Sequence, residues 1–334
     1  MKYYMGIDAG GSKTYALVAN SEGTILSVGR GGNGNHQTNR DQAEASLRSA
    51  VSDALRQAQL NVDQIEFAWF GLAGADRESD YRILRPIIQK MNLPNTNISC
   101  DTTIALRAGT NQPFGVVLIC GTGVNCSGMN RKGESFQCGG FGYMFGDFGG
   151  GQDLSIEVFR SVMRAWEGRE EETSLSNLLI NKLGYESVEA LRDNFLDYSN
   201  YLPVEVARLL FDAVQQGDEV ARRILVKQGE ELGLAAAATI NRLAMNEEKF
   251  DIVLAGSILT RGDQDGLLRS IIERKAKQAA PRCSITILNT EPAVGALILA
   301  MESSGVEVSP DIMNSLTEFK LKNIRNIQNV QKTM

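Results

Sequence analysis

The chain has 334 residues, which suits two domains of roughly 100–200 residues each better than a single core. Apolar residues make up 43% and charged residues 22%, a globular balance that argues against a disordered chain. The net charge of −6 excludes a global basic field for a nucleic-acid backbone, no apolar run reaches the roughly 18 residues of a membrane span, and a single histidine, His36, excludes a multi-histidine metal site.

The run Met1–Gly6 lacks the apolar core and cleavage site of a signal peptide. The five cysteines (Cys100, Cys120, Cys126, Cys138, Cys283) are odd in number and form no CxxC pair. Together these features predict a cytoplasmic protein with reduced thiols.

In chain order, Tyr3–Ile7 is a short apolar strand that ends at Asp8 and opens into a glycine turn. Tyr15–Ala19 and Thr24–Val28 follow as strands around the turn Asn20-Ser21-Glu22-Gly23. The loop Gly31–His36 leads to an amphipathic helix over Thr38–Ala58. Ile65–Phe70 reads as a buried strand, and Ser79–Met91 as a helix that Pro86 disturbs. Asn97–Cys100 is a short strand that delivers Asp101, and Thr103–Ala108 is helical.

After Gln112-Pro113 the pattern begins again. Phe114–Cys120 is an apolar strand, followed by a glycine turn, a second strand and the turn Asn130-Arg131-Lys132-Gly133. An offset of 110 residues superposes Gly11 on Gly121, Ser12 on Thr122, Asn20 on Asn130, Gly23 on Gly133 and Gly29 on Gly139, which points to a structural duplication. Residues 151–249 turn helical, with a long buried helix over Glu219–Met245. Ile252–Ala255 and Ser284–Leu288 are strands, Leu267–Ala279 and Ala293–Met301 helices, and the chain past Ser309 is a peripheral tail.

Glycine locates the chemistry. Of 33 glycines, 23 fall in residues 1–151. Asp8-Ala9-Gly10-Gly11-Ser12-Lys13-Thr14 is not a P-loop, because Ser12 rather than Lys follows Gly11 and the loop enters a strand. It is either an ordinary hairpin turn or a phosphate loop. In the second case glycine lets backbone N–H groups approach the phosphates, Ser12 and Thr14 add hydroxyls, and Asp8 holds magnesium through water. Cys120-Gly121-Thr122-Gly123-Val124-Asn125 repeats the arrangement. Two such turns suggest a nucleotide phosphate held by two half-sites. A third run, Gly139–Gly151, implies close approach of backbone to a ligand, with Asp147 as its polar group. Asp101, after a strand and before a helix, is either an N-cap or the base of a phosphoryl transfer. His36 is a ligand contact or a structural support.

The set Asp8-Gly10-Gly11-Ser12-Lys13-Thr14, Gly71-Leu72-Ala73-Gly74, Asp101, Gly121-Thr122-Gly123-Val124-Asn125, Gly146-Asp147, Ala255-Gly256-Ser257 and Pro292-Ala293-Val294-Gly295-Ala296 resembles the BadF/BcrA-type ATPases. Within them it is most similar to the N-acetylglucosamine kinases, over roughly residues 3–302. The resemblance implies an α/β, two-domain actin-like ATPase fold, a ribonuclease H-like unit duplicated, with mixed sheets, flanking helices and a helical insertion in the second domain. The expected boundaries are 1–112, 113–302 with the insert at about 151–249, and a tail at 303–334.

It also implies an ATP-dependent kinase that phosphorylates the 6-hydroxyl of an amino sugar, with ATP and Mg²⁺ as cofactors and a homodimer as a possible assembly. Asp8 would orient the metal, and Asp101 would be the base. Gly10, Gly11, Ser12, Lys13 and Thr14, then Gly121, Thr122 and Gly123, would form the two phosphate loops, and Gly256 and Ser257 would border the adenosine. Asn35, His36, Gly74, Asn125, Asp147 and Gly150 would contact the sugar.

Two departures fall where a sugar would be read. Phe148-Gly149-Gly150-Gly151 stands where many of these kinases have Glu-Gly-Ser, and Ala73 stands in the position that often carries Ser. They leave open glucosamine or N-acetylmuramic acid as substrate. The rivals from other classes are an ATP-driven iron–sulfur activator of a dehydratase, for which Cys120 and Cys126 are the candidate ligands, and a non-enzymatic sugar sensor.

Overall fold

The computed structural model describes residues 2–319. The described chain divides into two units, the residues up to Phe114 together with 288–319, and residues 115–287.

Unit 1 begins with strands β1 (Tyr3–Ala9), β2 (Thr14–Asn20) and β3 (Ile25–Gly31), followed by helix α1 (Arg40–Ala58), β4 (Ile65–Leu72), α2 (Glu78–Gln89), β5 (Thr96–Cys100) and α3 (Asp101–Gly109). Its sheet has the order β3-β2-β1-β4-β5. The first three strands are antiparallel, and β4 and β5 run parallel to β1. Side chains alternate across the sheet, as a period of two requires. Met5, Ile7, Ala16 and Val18 enter one core with Leu47, Ala50, Leu84 and Ile87, whereas Tyr4, Leu17 and Ala19 enter another.

Unit 2 runs through β6 (Gly115–Cys120), β7 (Val124–Met129) and β8 (Ser135–Cys138) into α4 (Gly151–Trp166), α5 (Leu175–Leu183), α6 (Val188–Asp197), α7 (Leu209–Gln215) and α8 (Glu219–Arg242). It closes with β9 (Asp251–Ala255), α9 (Leu267–Ala279) and β10 (Ser284–Ile287). The sheet order β10-β9-β6-β7-β8 is that of unit 1 written in reverse, with the same parallel and antiparallel pairings. Helices α4–α8 form the helical insertion.

The chain then returns to unit 1 as α10 (Pro292–Ser303) and α11 (Pro310–Thr317). This corrects the expected boundary, which kept residues up to 302 in the second domain. The physical cause is the second core: Ala293, Val294, Leu297, Ile298 and Met301 bury with Tyr4, Leu17 and Val28. The approach is close enough to demand glycine. A Cβ on Gly6 of β1 would lie 2.4 Å from Ala293 O and Leu297 N, and one on Gly295 would lie 1.9 Å from Ile104 O. Helix α10 is therefore clamped between β1 and α3, and the Arg107–Glu302 ion pair (2.7 Å) ties α3 to its far end.

The tail is not wholly peripheral. Leu316 of α11 is fully buried in the same core, and Ser315 Oγ donates to Gly23 O at 3.2 Å. The remainder of the tail, residues 320–334, lies outside the described residues. Helix α2 runs through Pro86 without a break. Pro86 is exposed in its last turn, where water can satisfy the carbonyl that the ring leaves unpaired.

Candidate active site

In unit 1 the parallel register brings the carboxyl ends of three strands to one edge. Asp8 of β1 pairs with Gly71 of β4, and Leu72 of β4 pairs with Cys100 of β5, so Asp8 and Asp101 leave the sheet on the same side. Ligands of open α/β sheets bind at such an edge.

Loops from three further segments are bonded onto it. Gly10 N donates to Lys13 O (3.0 Å) and closes the β1–β2 turn, Gly34 N donates to Gly10 O (2.9 Å), and Ala73 N donates to Ala9 O (2.9 Å). Gly11, Ser12 and Lys13 are exposed, and a Cβ on Gly11 would meet nothing within 4 Å. No neighbour requires glycine there, so the bare backbone is left open to a ligand. Lys13 Nζ sits 4.9 Å above the Tyr15 ring.

The electrostatics of this edge are unusual. Burial pushes the Asp8 carboxyl up to about 7, helped by the charges of Asp101 and Glu291 and opposed by Lys13. Asp101 is also raised, first by burial and further by Asp76, although the Cys100 thiol (Sγ to Oδ1, 3.2 Å) and the Thr102 N–H favour its ionised form. Asp101 is the first residue of α3 and Cys100 the N-cap, which sets the capping alternative aside. A raised carboxylate is a stronger base than an ordinary one at neutral pH.

Asp76 and Glu291 are the residues that motif reading missed. Asp76 Oδ1 is buried with no hydrogen-bond partner. Their signals were present: Asp76 follows the Gly74 turn directly, and Glu291 precedes Pro292 as the N-cap of α10.

Two expected contacts in unit 1 need correction. Thr14 is fully buried and its hydroxyl donates to Gly32 O at 2.9 Å, so it braces the turn and has no donor free for a phosphate. His36 is 6% exposed and its Nε2 lies 3.2 Å from Asp80 Oδ1. Asp80 also accepts two bonds from the Arg77 guanidinium, at 3.0 and 3.1 Å, and one from the Arg77 backbone N–H at 3.0 Å. Burial alone would raise Asp80, yet the bonds from Arg77, Gln37 and His36 hold it well below the usual carboxylate range. His36 is thus a structural support under the neighbouring loop. That loop keeps Asn35 beside Gly74, 3.1 Å from where a Gly74 Cβ would be, and Gln37 Nε2 donates to Gly74 O at 3.1 Å.

Unit 2 carries the equivalent edge. Cys120 pairs with Val124 across the turn 121–123, which Gly121 N closes on Gly123 O at 2.9 Å. Thr122 and Gly123 are exposed, and a Gly123 Cβ would meet nothing within 4 Å. Gly256 (φ +85°) stacks on this turn's base, where a Cβ would be 2.3 Å from Cys120 O, and Ser257 N lies 4.0 Å from a Gly121 Cβ.

Beside the turn is a cavity of about 290 Å³ lined by Asn125, Cys138, Phe141, Phe145, Asp147 and Leu234, among others. Asn125 Oδ1 is buried there without a partner. Asp147 Oδ2 accepts from Phe141 N (2.7 Å) and Gly142 N (2.6 Å), so this oxygen orders the glycine loop itself. Gly150 is buried, and its Cβ would be 2.6 Å from Gly123 Cα. Its expected sugar contact gives way to packing under the turn 121–123.

The cysteines do not suit a cluster shared between chains, which needs exposed thiolates. Four are buried and Cys138 is half-buried. Burial pushes Cys120 and Cys126 up to about 12. No helix among the described residues is long and apolar enough to cross a membrane.

Two sheets of one order, each opening a bare glycine turn at the carboxyl end of its central strand, define an actin-like ATPase fold of the sugar-kinase type. A solved protein of Chromobacterium violaceum shares it, with a TM-score of 0.68 and 21% identity over 90% of this chain and 99% of that one. So does a ROK family glucokinase from Streptomyces griseus in complex with glucose and AMPPNP, with a TM-score of 0.55, 18% identity and coverage of 90% and 99%.

The chain belongs to the BadF/BadG/BcrA/BcrD ATPase family, whose model matches residues 5–300. It is 30% identical over 315 residues to the N-acetyl-D-glucosamine kinase of Dictyostelium discoideum, covering 90% of this chain and 98% of that protein. It is 28% identical over 305 residues to the N-acetylmuramic acid/N-acetylglucosamine kinase of Clostridium acetobutylicum, with the same two coverages.

Proposed function

We propose that the chain is an ATP-dependent kinase that transfers phosphate to the 6-hydroxyl of an amino sugar, with N-acetylglucosamine as the first candidate. The observation that supports this most is the unit 1 edge. A desolvated carboxylate, Asp101, leaves the sheet beside Asp8 and a glycine turn whose backbone is open, which is the equipment of a base next to a phosphate site. Asp101 accepts the sugar hydroxyl proton as the oxygen attacks the phosphoryl group. The N–H groups of the turns 10–13 and 121–123, with the Ser12 and Thr122 hydroxyls and the Lys13 ammonium, bind phosphate oxygens. Asn35 and Gly74 in unit 1, and Asn125 with the Asp147 loop in unit 2, bind the sugar.

Magnesium fits the donor set. Around the part-buried Asp8 the carboxylates of Asp101 and Glu291 outnumber the one Lys13 ammonium, so the site has negative charge to spare for a cation. Asp8 would hold the ion, largely through water. Bound there, magnesium supplies charge neutralisation at phosphate oxygens. We place the enzyme in the cytoplasm, and light scattering would test whether it self-associates.

The test is a coupled ADP assay across N-acetylglucosamine, glucosamine, N-acetylmuramic acid and neutral hexoses, with the product assigned by NMR. Sugar-stimulated ADP release with phosphate on O6 of N-acetylglucosamine is expected. Preference for another amino sugar revises the substrate, and tight sugar binding without turnover by any sugar overturns the kinase.

A further inference from the structure

Gln228 lies in the middle of α8, fully buried, and belongs to none of the motifs above. Its Nε2 donates to Gly149 O at 2.6 Å and approaches Cys120 Sγ at 3.3 Å, while Cys120 Sγ donates to the same carbonyl at 3.2 Å. Its Oε1 is buried with no partner. The amide cannot simply turn over, because Gly149 O only accepts and would then face a second acceptor.

Both of its contacts lead to the phosphate turn. Cys120 is the residue immediately before Gly121. Gly149 holds φ +102°, and beyond it Gly150 presses on Thr122 and Gly123. Gly151 N then donates to Gly121 O at 2.8 Å, and Gln152 N donates to Thr122 O at 3.1 Å. On its other side Gly149 is joined through the buried Phe148 to Asp147.

A side chain chosen for packing alone at this position would be apolar, since an unpaired buried oxygen is a cost without structural return. We propose that Gln228 is a positioning residue of the kinase. It fixes the Gly149 carbonyl, and with it the spacing of the Asp147 loop from the phosphate turn 121–123. The assignment rests on the kinase reading above.

Two variants test it. In Gln228→Met the volume stays and the donor goes. We expect an unchanged or higher Tm, a kcat lower by about tenfold or more, and KM for both substrates within about threefold. In Gln228→Glu only the protonated acid can donate to Gly149 O, so activity falls with rising pH in a way that wild type does not show. Amide exchange supplies a readout independent of turnover. In Gln228→Met the amides of Gly151 and Gln152 exchange about tenfold faster or more, while those of β6 do not.

Wild-type exchange at those amides, or kcat within twofold of wild type in both variants, overturns the assignment. So does a loss of kcat that follows a fall in Tm and is restored by cooling. If wild type itself shows no sugar-dependent ATP turnover, the kinase reading fails, and the exchange result still decides whether Gln228 anchors the loop.

Discussion

Asp8→Asn is expected to make the protein more stable and inactive. The native carboxyl is raised from its ordinary 3.8 to about 7, chiefly by burial, with the charge of Asp101 next. A rise of that size corresponds to about 4 kcal/mol as an upper bound, and partial exposure of the group reduces the working figure to about 2 kcal/mol.

The sign follows from the raised folded value. The neutral acid is the form the fold tolerates, so its contribution is fully present below about pH 3.8. It is lost as pH rises towards about 7, and above that the wild type carries the penalty of ionising a part-buried group. Asparagine keeps the shape and cannot ionise. The variant should therefore match wild type near pH 4 and exceed it at pH 8 by about 2 kcal/mol, or about 4–8 °C in Tm for a unit of this size.

Urea unfolding of both proteins at pH 4, 5, 6, 7 and 8, without nucleotide or magnesium, measures the difference. A variant no more stable than wild type at pH 8, or a gap that does not widen between pH 4 and 7, refutes the account. Magnesium and ATP should narrow the gap by binding wild type, and turnover of the variant should be lost.

Asp101→Asn should keep sugar and ATP binding by calorimetry while kcat falls by about 10²–10⁴-fold; activity within about threefold of wild type removes Asp101 as base. Asp147→Ala releases the Phe141 and Gly142 N–H groups and should raise the sugar KM by about tenfold, so an unchanged sugar affinity takes the 139–147 loop out of the site. Gly295→Ala drives a methyl to 1.9 Å from Ile104 O, and the forced separation of α10 from α3 should cost about 1–3 kcal/mol or more. Because α3 starts with Asp101, kcat should fall as well, and a variant with wild-type Tm contradicts the clamp.

The strands, the glycine turns and the carboxylates at their ends were legible because each leaves a local mark, an apolar run stopped by Asp or Gly. The destination of Ala293–Met301 was not. Its apolar residues say that the helix is buried, while the surface that buries it is set by Gly6 and Gly295, which are silent until two backbones meet. The same holds for Thr14. A hydroxyl in a phosphate-like loop reads as a ligand donor, and only the return of residues 31–34 against the turn shows that Gly32 O has taken it. Gln228 was invisible for a related reason: one polar residue in a long helix reads as an exposed position until its neighbours are known.

The internal repeat is clearest in its hydrogen bonds, and they separate the matches that carry structure from chance. Asn20 Oδ1 accepts from the N–H groups of Glu22 and Thr24 (3.1 and 2.9 Å), and Asn130 Oδ1 accepts from those of Lys132 and Glu134 (3.0 and 3.1 Å). Gly23 and Gly133 share φ +80°. These are one turn used twice. Gly29 and Gly139 are not equivalent. The β2–β3 ladder slips between Val18 and Ala19, while β7–β8 runs unbroken from Cys126↔Cys138 to Met129↔Ser135. Gly29 therefore pairs with Ala16, whereas the residue 110 positions beyond Ala16, Cys126, pairs with Cys138. Past the third strand the copies diverge, into the short loop 32–39 in unit 1 and the glycine-rich loop 139–150 in unit 2. The duplicated part contains both bare glycine turns, and the divergent part contains Asn35 and Asp147. Under the proposed function, phosphate binding would be a property of the repeat, and discrimination among sugars would belong to what each copy added after it.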